Sequence, residues 1–260
     1  MQKLPTLFIS HGSPMHAIDA GKAGNVWAAL AMQLPKPKAI LMVTAHWETS
    51  LPMLSGSKKP SMIYDFGGFP EELYKIIYPA VGAPDIAARA QTLLKDAGFT
   101  AGIDGCRGLD HGTWVPLLKM YPDADVPVVQ LSVQSAMNPA HHLDVGRALA
   151  PLSKEGILII GSGHLTHNLR DWMMARGQEG SAAYARKFQS WVFDRLAAHE
   201  TDALVQYRTE APDAIRAHPT EEHFLPLFVA LGAAGVNAVP ERVYDGFEGA
   251  ALAMDAYRFN

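Results

Sequence analysis

The sequence predicts an α/β fold, a single domain with a mostly parallel or mixed central sheet covered by helices on both faces. Short apolar runs alternate along the chain with segments of helical spacing, which is the order of a sheet crossed by helices. A continuous apolar run such as residues 39–44 is typical of a strand buried on both faces. Hydrophobic residues make up 48% of the 260 residues and charged residues only 18%, which is enough apolar material for a large core.

The first half of the chain predicts two strands and two helices. We predict strands at 7–10 and 39–44, helices at 25–34 and 84–97, and a covering loop over 50–70. Pro35 and Pro37 end the first helix, and Gly98 supplies the C-terminal stop of the second. The first strand is broken by His11, Gly12 and Ser13, and the second leads into Ala45, His46, Trp47 and Glu48.

The second half repeats this order of strands and helices. Strands are predicted at 126–133 and 156–160 with a helix at 140–152 between them, followed by helices at 182–199 and about 221–233. Residues 239–259 predict a returning strand or hairpin. Since the chain has no internal repeat and no linker-like stretch, we expect one domain over residues 1–260.

Charge and cysteine content exclude several classes of partner. A formal charge of −4 argues against nucleic acid, which needs a basic surface, and no run approaches the roughly 20 apolar residues of a membrane helix. The N-terminus has no signal-peptide pattern, and a single cysteine, Cys106, excludes an internal disulfide and cysteine-based zinc motifs. We therefore expect a cytoplasmic protein, whose oligomeric state the sequence leaves open.

Histidines cluster directly after the predicted strands. The chain has eleven, and His11, His46 and the segment from His164 to His167 follow three different apolar runs. Ligands of open α/β sheets bind in the crevice at the carboxyl ends of the strands, so these residues are expected at one edge. A single histidine after a strand is more often a hydrogen-bonded structural residue, but three at one edge favour a site.

Two further segments add histidines to this count. His111 lies in a short polar segment, where Asp110 could orient it, although a simple turn explains the segment equally well. The segment from His218 to His223 opens the last predicted helix. Acidic residues in a first helical turn are favourable against the helix dipole, which accounts for Glu221 and Glu222 but not for two histidines. A neutral imidazole bound to a metal ion fits there.

The residue types suit two metal chemistries, and spacing alone does not choose between them. Two histidines with one carboxylate are usual for non-haem Fe(II) oxygenases, whereas a His-rich set with a bound water suits a zinc hydrolase. Other motifs are weak. Gly161-Ser-Gly lacks the third glycine and the lysine of nucleotide-binding loops, and Ser162 is not in a Gly-x-Ser-x-Gly elbow.

Six segments together resemble the class III extradiol ring-cleaving dioxygenases, in particular the DOPA-dioxygenase-like branch. They span almost the whole chain, occur in the order of that family, and are His11 to Met15, Thr44 to Glu48, Tyr64 to Pro70, Leu109 to Leu117, Gly161 to Leu169 and His218 to Leu227. The resemblance implies a metal-dependent dioxygenase that opens the aromatic ring of a catechol with dioxygen.

The resemblance also assigns roles to individual residues. His11, His46 and His223 match metal ligands, and His167 matches an acid/base histidine that can close on the metal when substrate is absent. His223 stands where more distant class III enzymes use a glutamate, which leaves Glu222 as a rival third ligand. One divalent ion per chain is implied, Fe(II) for activity. Because a His-rich set favours zinc in the affinity order, Zn(II) is expected in a purified sample.

The remaining implications concern catalysis and the alternatives to it. His111 matches a histidine positioned toward the substrate and oxygen, and residues 64–70 form either an aromatic wall of the site or an ordinary covering loop. One alternative is a zinc-dependent hydrolase of a small amide or ester. Another is a non-catalytic binding module, against which the complete set of histidines argues, because a pure interaction role needs no acid/base group.

Overall fold

The computed structural model describes residues 3–175 and 180–260 and has the predicted α/β architecture. Its strands are β1 (Thr6–Ser10), β2 (Ala39–Glu48), β3 (Met53–Ser55), β4 (Gly102–Asp104), β5 (Val128–Val133), β6 (Ile157–Gly163), β7 (Pro240–Tyr244), β8 (Phe247–Glu248), β9 (Leu252–Ala253) and β10 (Ala256–Phe259). One eight-stranded sheet has the order β4-β3-β5-β2-β6-β1-β10-β7, and β8 pairs with β9. The sheet is mixed, since β3 runs antiparallel to β5, and β10 antiparallel to β1 and β7.

Helices follow the strands along the chain as the sequence predicts. They are α1 (Gly21–Met32), α2 (Pro84–Asp96), α3 (His111–Met120), α4 (Pro139–Leu149), α5 (Pro151–Lys154), α6 (Leu169–Met174), α7 (Ala183–Ala197), α8 (Thr201–Val205), α9 (Tyr207–Glu210), α10 (Ala214–Ala217) and α11 (Leu225–Ala234). Short 3-10 turns occupy Pro14–Ala17 and Glu71–Lys75.

Apolar clusters cover both faces of the sheet. On one face, Trp27 of α1 and Trp114 of α3 are completely buried against the strands. On the other, α2, α4 and α11 pack on the sheet, and α7 packs beside them through Phe188. The prediction of helices on both faces is confirmed. Within the described residues, no helix combines the length and the apolar character needed to cross a membrane.

Three adjacent parallel strands form the centre of the sheet and fix the position of the site. In the register, Ser10 of β1 lies opposite Gly163 of β6, and Thr44 of β2 lies opposite Ser162. All residues of β1 and β6 are buried, as expected for strands covered on both faces. The carboxyl ends of β1, β6 and β2 therefore meet at one edge, and whatever follows them in sequence meets there too.

The two strands that carry this edge are longer than predicted. β2 continues through Glu48, so His46 lies within the strand and not after it. β6 continues through Gly163, although glycine usually weakens a strand. A Cβ atom on Gly163 would lie 2.1 Å from the carbonyl oxygen of His223, so glycine is needed here because another backbone passes directly against the strand.

Three helix predictions were wrong at their ends. α1 begins at Gly21, four residues before the predicted start. The helix predicted at 140–152 is two helices, because Pro151 has no N–H to continue the first one. The last helix begins at Leu225, with Pro226 in its first turn, and not near residue 221. Residues 218–224 are therefore a turn that precedes the helix.

Candidate metal centre

Three imidazoles converge at the edge formed by the central strands. His11 follows β1, His46 lies near the end of β2, and His223 lies in the turn before α11. The Nε2 atoms of His11 and His46 are 3.0 Å apart, and one ring nitrogen from each of the three residues lies within 4.8 Å of the others. Nε2 of His223 is buried and has no hydrogen-bond partner. Nitrogens bound to zinc at about 2.0–2.1 Å are necessarily near neighbours of this kind, so the trio fits one shared ion.

The second nitrogen of each of these rings faces a side-chain oxygen. The pairs are His11 Nδ1 with Ser162 Oγ at 3.1 Å, His223 Nδ1 with Glu222 Oε1 at 2.9 Å, and His46 Nδ1 with Asp65 Oδ2 at 3.2 Å. An oxygen behind Nδ1 favours the tautomer with its proton there, which leaves the lone pair of Nε2 for an ion. The donor set and its surroundings both suit a divalent metal.

Burial keeps the three ligand candidates neutral. Desolvation is the largest cause that lowers the pKa of His11, His46 and His223 well below the usual value, and the nearby imidazoles lower it further. Metal ions bind the neutral form of imidazole. The residues are therefore in the ligand form at neutral pH without having to lose a proton.

His167 lies beside the trio and not within it. Its ring stacks on that of His223, with centroids 3.5 Å apart and an angle of 15° between the planes. His167, Glu222 and His223 form a second group whose ligand atoms lie within 4.8 Å of one another. Burial, followed by the charge of His111, lowers the pKa of His167 to about 4. His167 is therefore a neutral imidazole that lines the cavity beside the ligand candidates.

His111 is the first residue of α3, and its ring lies beside that of His46. Its ring centroid is 4.0 Å from that of His46. The expectation that Asp110 orients this ring is wrong, because Asp110 caps α3 by accepting the N–H of Thr113 and also contacts Arg107 at 2.8 Å. The carboxylate beside His111 is instead Asp65, whose Oδ1 accepts the backbone N–H of His111 at 2.9 Å and lies 3.0 Å from its Nδ1.

The close contact between α3 and β2 depends on the residue after His111. A Cβ atom on Gly112 would lie 2.8 Å from Cδ2 of His46 and 3.0 Å from Oγ1 of Thr44. Thr44 also donates to the buried Asp110 at 2.8 Å, which joins the strand to the helix cap. The glycine and the cap together bring His111, the first residue of α3, to the ligand candidates.

The segment from His218 to His223 contributes one histidine to the site and not two. His218 is completely buried among aromatic side chains, and its Nε2 donates to the carbonyl oxygen of Leu165 at 2.7 Å. Glu221 accepts the hydroxyl of Tyr207 outside the site. Glu222, the rival third ligand, lies behind His223 on its Nδ1 side. The nitrogen that faces His11 and His46 belongs to His223.

Several residues near the site carried no functional signal in the sequence. Asp65 and Ser162 lie behind metal-ligand candidates, and Nε2 of His164 accepts the N–H of Gly12 at 3.0 Å. At the cavity edge, Glu248 accepts the N–H of Ser13 and pairs with His16, each at 3.2 Å. Asp65 and Ser162 were within the segments that matched a family, but only their position behind a ring nitrogen reveals their contacts.

The histidines line the inner end of a cavity of about 500 Å³. That volume lies within the range of small-molecule sites, about 300–1,000 Å³. Its apolar lining comes from Phe66, Phe69, Leu169, Met173 and Leu252. The ring of Phe66 stands edge-on to His111, with centroids 5.6 Å apart. A planar aromatic ligand could lie against this lining with its polar edge on the histidines.

Comparisons with known proteins agree on one family. The chain matches the family model described as the catalytic LigB subunit of aromatic ring-opening dioxygenase over residues 5–254. A 4,5-DOPA dioxygenase extradiol of Beta vulgaris is 45% identical over 259 residues, which cover 98% of this chain and 96% of that protein. One of Escherichia coli K12 is 41% identical over 234 residues, 89% of this chain and 85% of that protein. A crystal structure of an uncharacterized protein, JW3007, from Escherichia coli K12 has a TM-score of 0.85 and 34% identity, covering 99% of this chain and 100% of that one.

Proposed function

Because the chain belongs to the LigB family of aromatic ring-opening dioxygenases, we propose that it is an extradiol dioxygenase that cleaves the ring of a DOPA-like catechol with dioxygen. The observation that carries this proposal is the convergence of His11, His46 and His223 in the lining of a cavity of about 500 Å³, large enough for an aromatic small molecule. The printed activity of the relatives, 4,5-DOPA dioxygenase, supports the choice of substrate. We also assign residues 1–260 to one catalytic domain. We assign the protein to the cytoplasm, because its only cysteine is free.

The Nε2 atoms of His11, His46 and His223 are the proposed metal ligands, with the Nδ1–H of each ring held by an oxygen. A divalent iron bound there supplies a Lewis-acidic centre that lowers the pKa of a catechol hydroxyl and a common point at which both reactants are held. We propose Fe(II) as the working metal. A set of three imidazoles binds zinc more tightly than Fe(II) in the affinity order, so a purified sample is expected to contain zinc.

His167 is the proposed acid/base residue. Its imidazole is neutral, lines the cavity and stacks on a ligand candidate, so it lies beside the place where a catechol hydroxyl meets the metal centre. A neutral ring can accept the hydroxyl proton and return it later in the reaction. Burial lowers the pKa of His167 to about 4, which keeps the ring in the neutral form that can accept a proton.

His111 and the aromatic wall are the proposed contacts to the rest of the substrate. His111 lies across the trio from His167 and can donate a hydrogen bond to a substrate oxygen. Phe66 and Phe69 offer ring faces and edges against which a catechol can pack. Burial of the substrate ring on this wall excludes water from the polar end of the cavity.

The proposal is tested by metal replacement followed by an oxygen-uptake assay. The protein is stripped with a chelator, reloaded with Fe(II) under anaerobic conditions, and mixed with DOPA, caffeate and other catechols in oxygenated buffer. We expect oxygen consumption in equal proportion to catechol loss and a yellow ring-opened product. The His11→Ala variant, which removes one ligand, is expected to lose the activity.

The same assay separates the dioxygenase from a zinc hydrolase. A hydrolase would cleave small esters or amides with zinc bound and would consume no oxygen with any catechol. Absence of oxygen uptake from the Fe(II)-loaded protein across the catechol panel would contradict the proposal.

A further inference from the structure

Asp65 lies between two histidines to which the proposed function gives different roles. Its Oδ2 lies 3.2 Å from Nδ1 of the ligand candidate His46, and its Oδ1 lies 3.0 Å from Nδ1 of His111. Oδ1 also accepts the backbone N–H of His111 at 2.9 Å. The side chain of Asp65 is 23% exposed and those of His46 and His111 are 19% and 8% exposed, so the contacts are largely shielded from water.

We propose that Asp65 is a shared positioning residue that orients both His46 and His111 through their Nδ1 atoms. This inference rests on the proposed function for the roles of the two histidines. A carboxylate has two acceptor oxygens and no donor when ionised, so one group can hold the Nδ1–H of two rings at once. The Nε2 atoms of both rings then point away from Asp65. The Nε2 atom of His46 points toward the other two ligand candidates.

The charged groups nearest to Asp65 have other partners, so we assign the orientation of the His46 and His111 rings to Asp65. The buried carboxylate nearby, Asp110, is engaged by Thr44, Thr113 and Arg107. Arg107 also reaches the backbone oxygen of His46 at 3.2 Å. Within the described part of the chain, Asp65 is the carboxylate that reaches both rings.

The position of Asp65 in the covering loop also joins the substrate wall to the metal centre. Tyr64, before it, donates its hydroxyl to the carbonyl oxygen of Ile76 at 2.8 Å. Phe66, after it, packs edge-on against His111 and lies with its centroid 6.2 Å from that of Trp114. Asp65 is thus held between two anchored aromatic residues, which fixes where its oxygens stand. The Nδ1 contacts of His46 and His111 with Asp65 are close ion-pair contacts and are not aligned as hydrogen bonds here, a geometry common at catalytic contacts without bound substrate.

The competing explanation is that Asp65 only anchors the loop by accepting the backbone N–H of His111. Asp65→Asn separates the two roles, because asparagine has the same shape and keeps one acceptor oxygen for that N–H. Its NH₂ group, however, must then face the Nδ1–H of one ring, where it cannot accept. A pure loop anchor would tolerate asparagine, whereas a shared partner of two rings would not.

The experiment measures zinc binding without substrate, by competition with a chromophoric chelator. We expect D65N to bind zinc about 10- to 100-fold more weakly than the unmodified protein, the usual effect of removing a partner behind a ligand histidine. Glu222→Met, which has no carboxylate or amide oxygen, removes the acceptor behind one ligand candidate, His223, and serves as the comparison for zinc affinity. Asp123→Asn, at an exposed aspartate outside the site, is the control for charge and should bind zinc normally.

Two further readouts distinguish positioning from a structural role. In the zinc-loaded protein labelled with ¹⁵N-histidine, NMR should show the proton of both His46 and His111 on Nδ1, and D65N should change the tautomer of at least one. With saturating Fe(II), kcat of D65N should fall at least about 10-fold, with little change in KM, because the cavity walls remain.

Unchanged tautomers of both rings in folded D65N would overturn the proposal whatever the zinc affinity, and a changed tautomer of either ring supports it. If D65N does not fold, Asp65→Glu, which keeps both acceptors, is used instead. Retained Nδ1–H signals in D65E support the proposal, and their loss with the fold intact overturns it. Should the Fe(II) enzyme open no catechol, the proposed function fails, while zinc affinity and tautomers still decide the role of Asp65.

Discussion

At the residue scale, the role of each histidine follows from what its second ring nitrogen meets. In His11 and His223 an oxygen lies behind Nδ1, and Nε2 faces the trio. In His164 and His218 the nitrogen that would serve a metal is instead bonded to the backbone. Histidines therefore divide into ligand candidates and structural residues by their hydrogen bonds, which spacing in the sequence does not reveal.

The acid/base role of His167 predicts a loss of turnover without a loss of metal. We expect His167→Gln to reduce kcat by about 10²- to 10⁴-fold, since proton transfer by a positioned group contributes that much. Metal content of the purified variant should stay near that of the unmodified protein, because His167 stands outside the trio. Steady-state kinetics and elemental analysis of the same preparation check this. A variant that loses its metal would instead identify His167 as a ligand.

At the scale of the elements, the end of β6 determines where His223 lies. The N–H of His164 donates to the carbonyl oxygen of His223 at 2.8 Å, and Gly163 lets the two backbones approach. This backbone contact, and not a helix, carries His223 to the strand edge. The site is thus built from a strand end and a turn that are some 60 residues apart in sequence.

Enlarging Gly163 is expected to displace that turn. Gly163→Ala introduces a methyl group at 2.1 Å from the His223 oxygen, an overlap that should destabilise the fold by about 1–3 kcal/mol. Because the turn must move away from β6, zinc affinity should fall as well. Urea unfolding and zinc titration measure the two effects. Gly105→Ala, where a Cβ atom meets nothing within 4 Å, is the matched control and should change neither. Normal zinc binding by G163A would contradict this account of how His223 is held.

The sequence predicts some elements well and others poorly for physical reasons. The central strands are recognisable because continuous burial demands continuous apolar residues, as in β5 and β6. The strands β3 and β4 at one end of the sheet are only three residues long, which is too short for a comparable pattern to mark them. The helix predicted from residue 221 was misplaced because acidic residues imitate a first helical turn, while Pro226 marks the actual start.

The residues of the site also differ in how well the sequence predicts them. Residues at the ends of central strands, such as His11 and His46, could be placed together from the sequence, because parallel strands end at one edge. Asp65 could not, since the path of the chain after β3 depends on tertiary contacts such as those of Phe66 with His111 and Trp114. The residue that orients His111 was therefore predicted to be the adjacent Asp110, which is the N-cap of α3 in the structure.

At the scale of the whole molecule, neutral histidines are buried both inside and outside the site. Their burial makes the stability of the fold depend on pH. His142 accepts the N–H of Gln134 at 3.1 Å, and burial lowers the pKa of its imidazole to about 4. In the unfolded chain the imidazole pKa is about 6.5. The unfolded state therefore binds the proton more tightly, and stability is lost as pH falls from 6.5 toward 4.

This linkage predicts a measurable change in slope. Between pH 7.5 and pH 5, His142 alone should cost about 2 kcal/mol of unfolding free energy. His142→Gln lowers the unfolding free energy. Between pH 7.5 and pH 5, however, its unfolding free energy should fall by about 2 kcal/mol less than that of the unmodified protein. Urea unfolding at several pH values provides the measurement. His199→Asn, at an exposed position, is the control and should keep the slope of the unmodified protein. An unchanged slope in H142Q would show that His142 is protonated equally in both states.

The proposed metal centre brings together three neutral imidazoles, two from the ends of parallel strands and one from the turn before α11, around one divalent ion. The most direct test is an anomalous difference map from a crystal of the zinc-loaded protein, recorded on both sides of the zinc absorption edge. We predict one strong peak bonded to Nε2 of His11, His46 and His223. A peak bonded instead to Asp65 and His111, or to Glu222 in place of His223, would contradict the account.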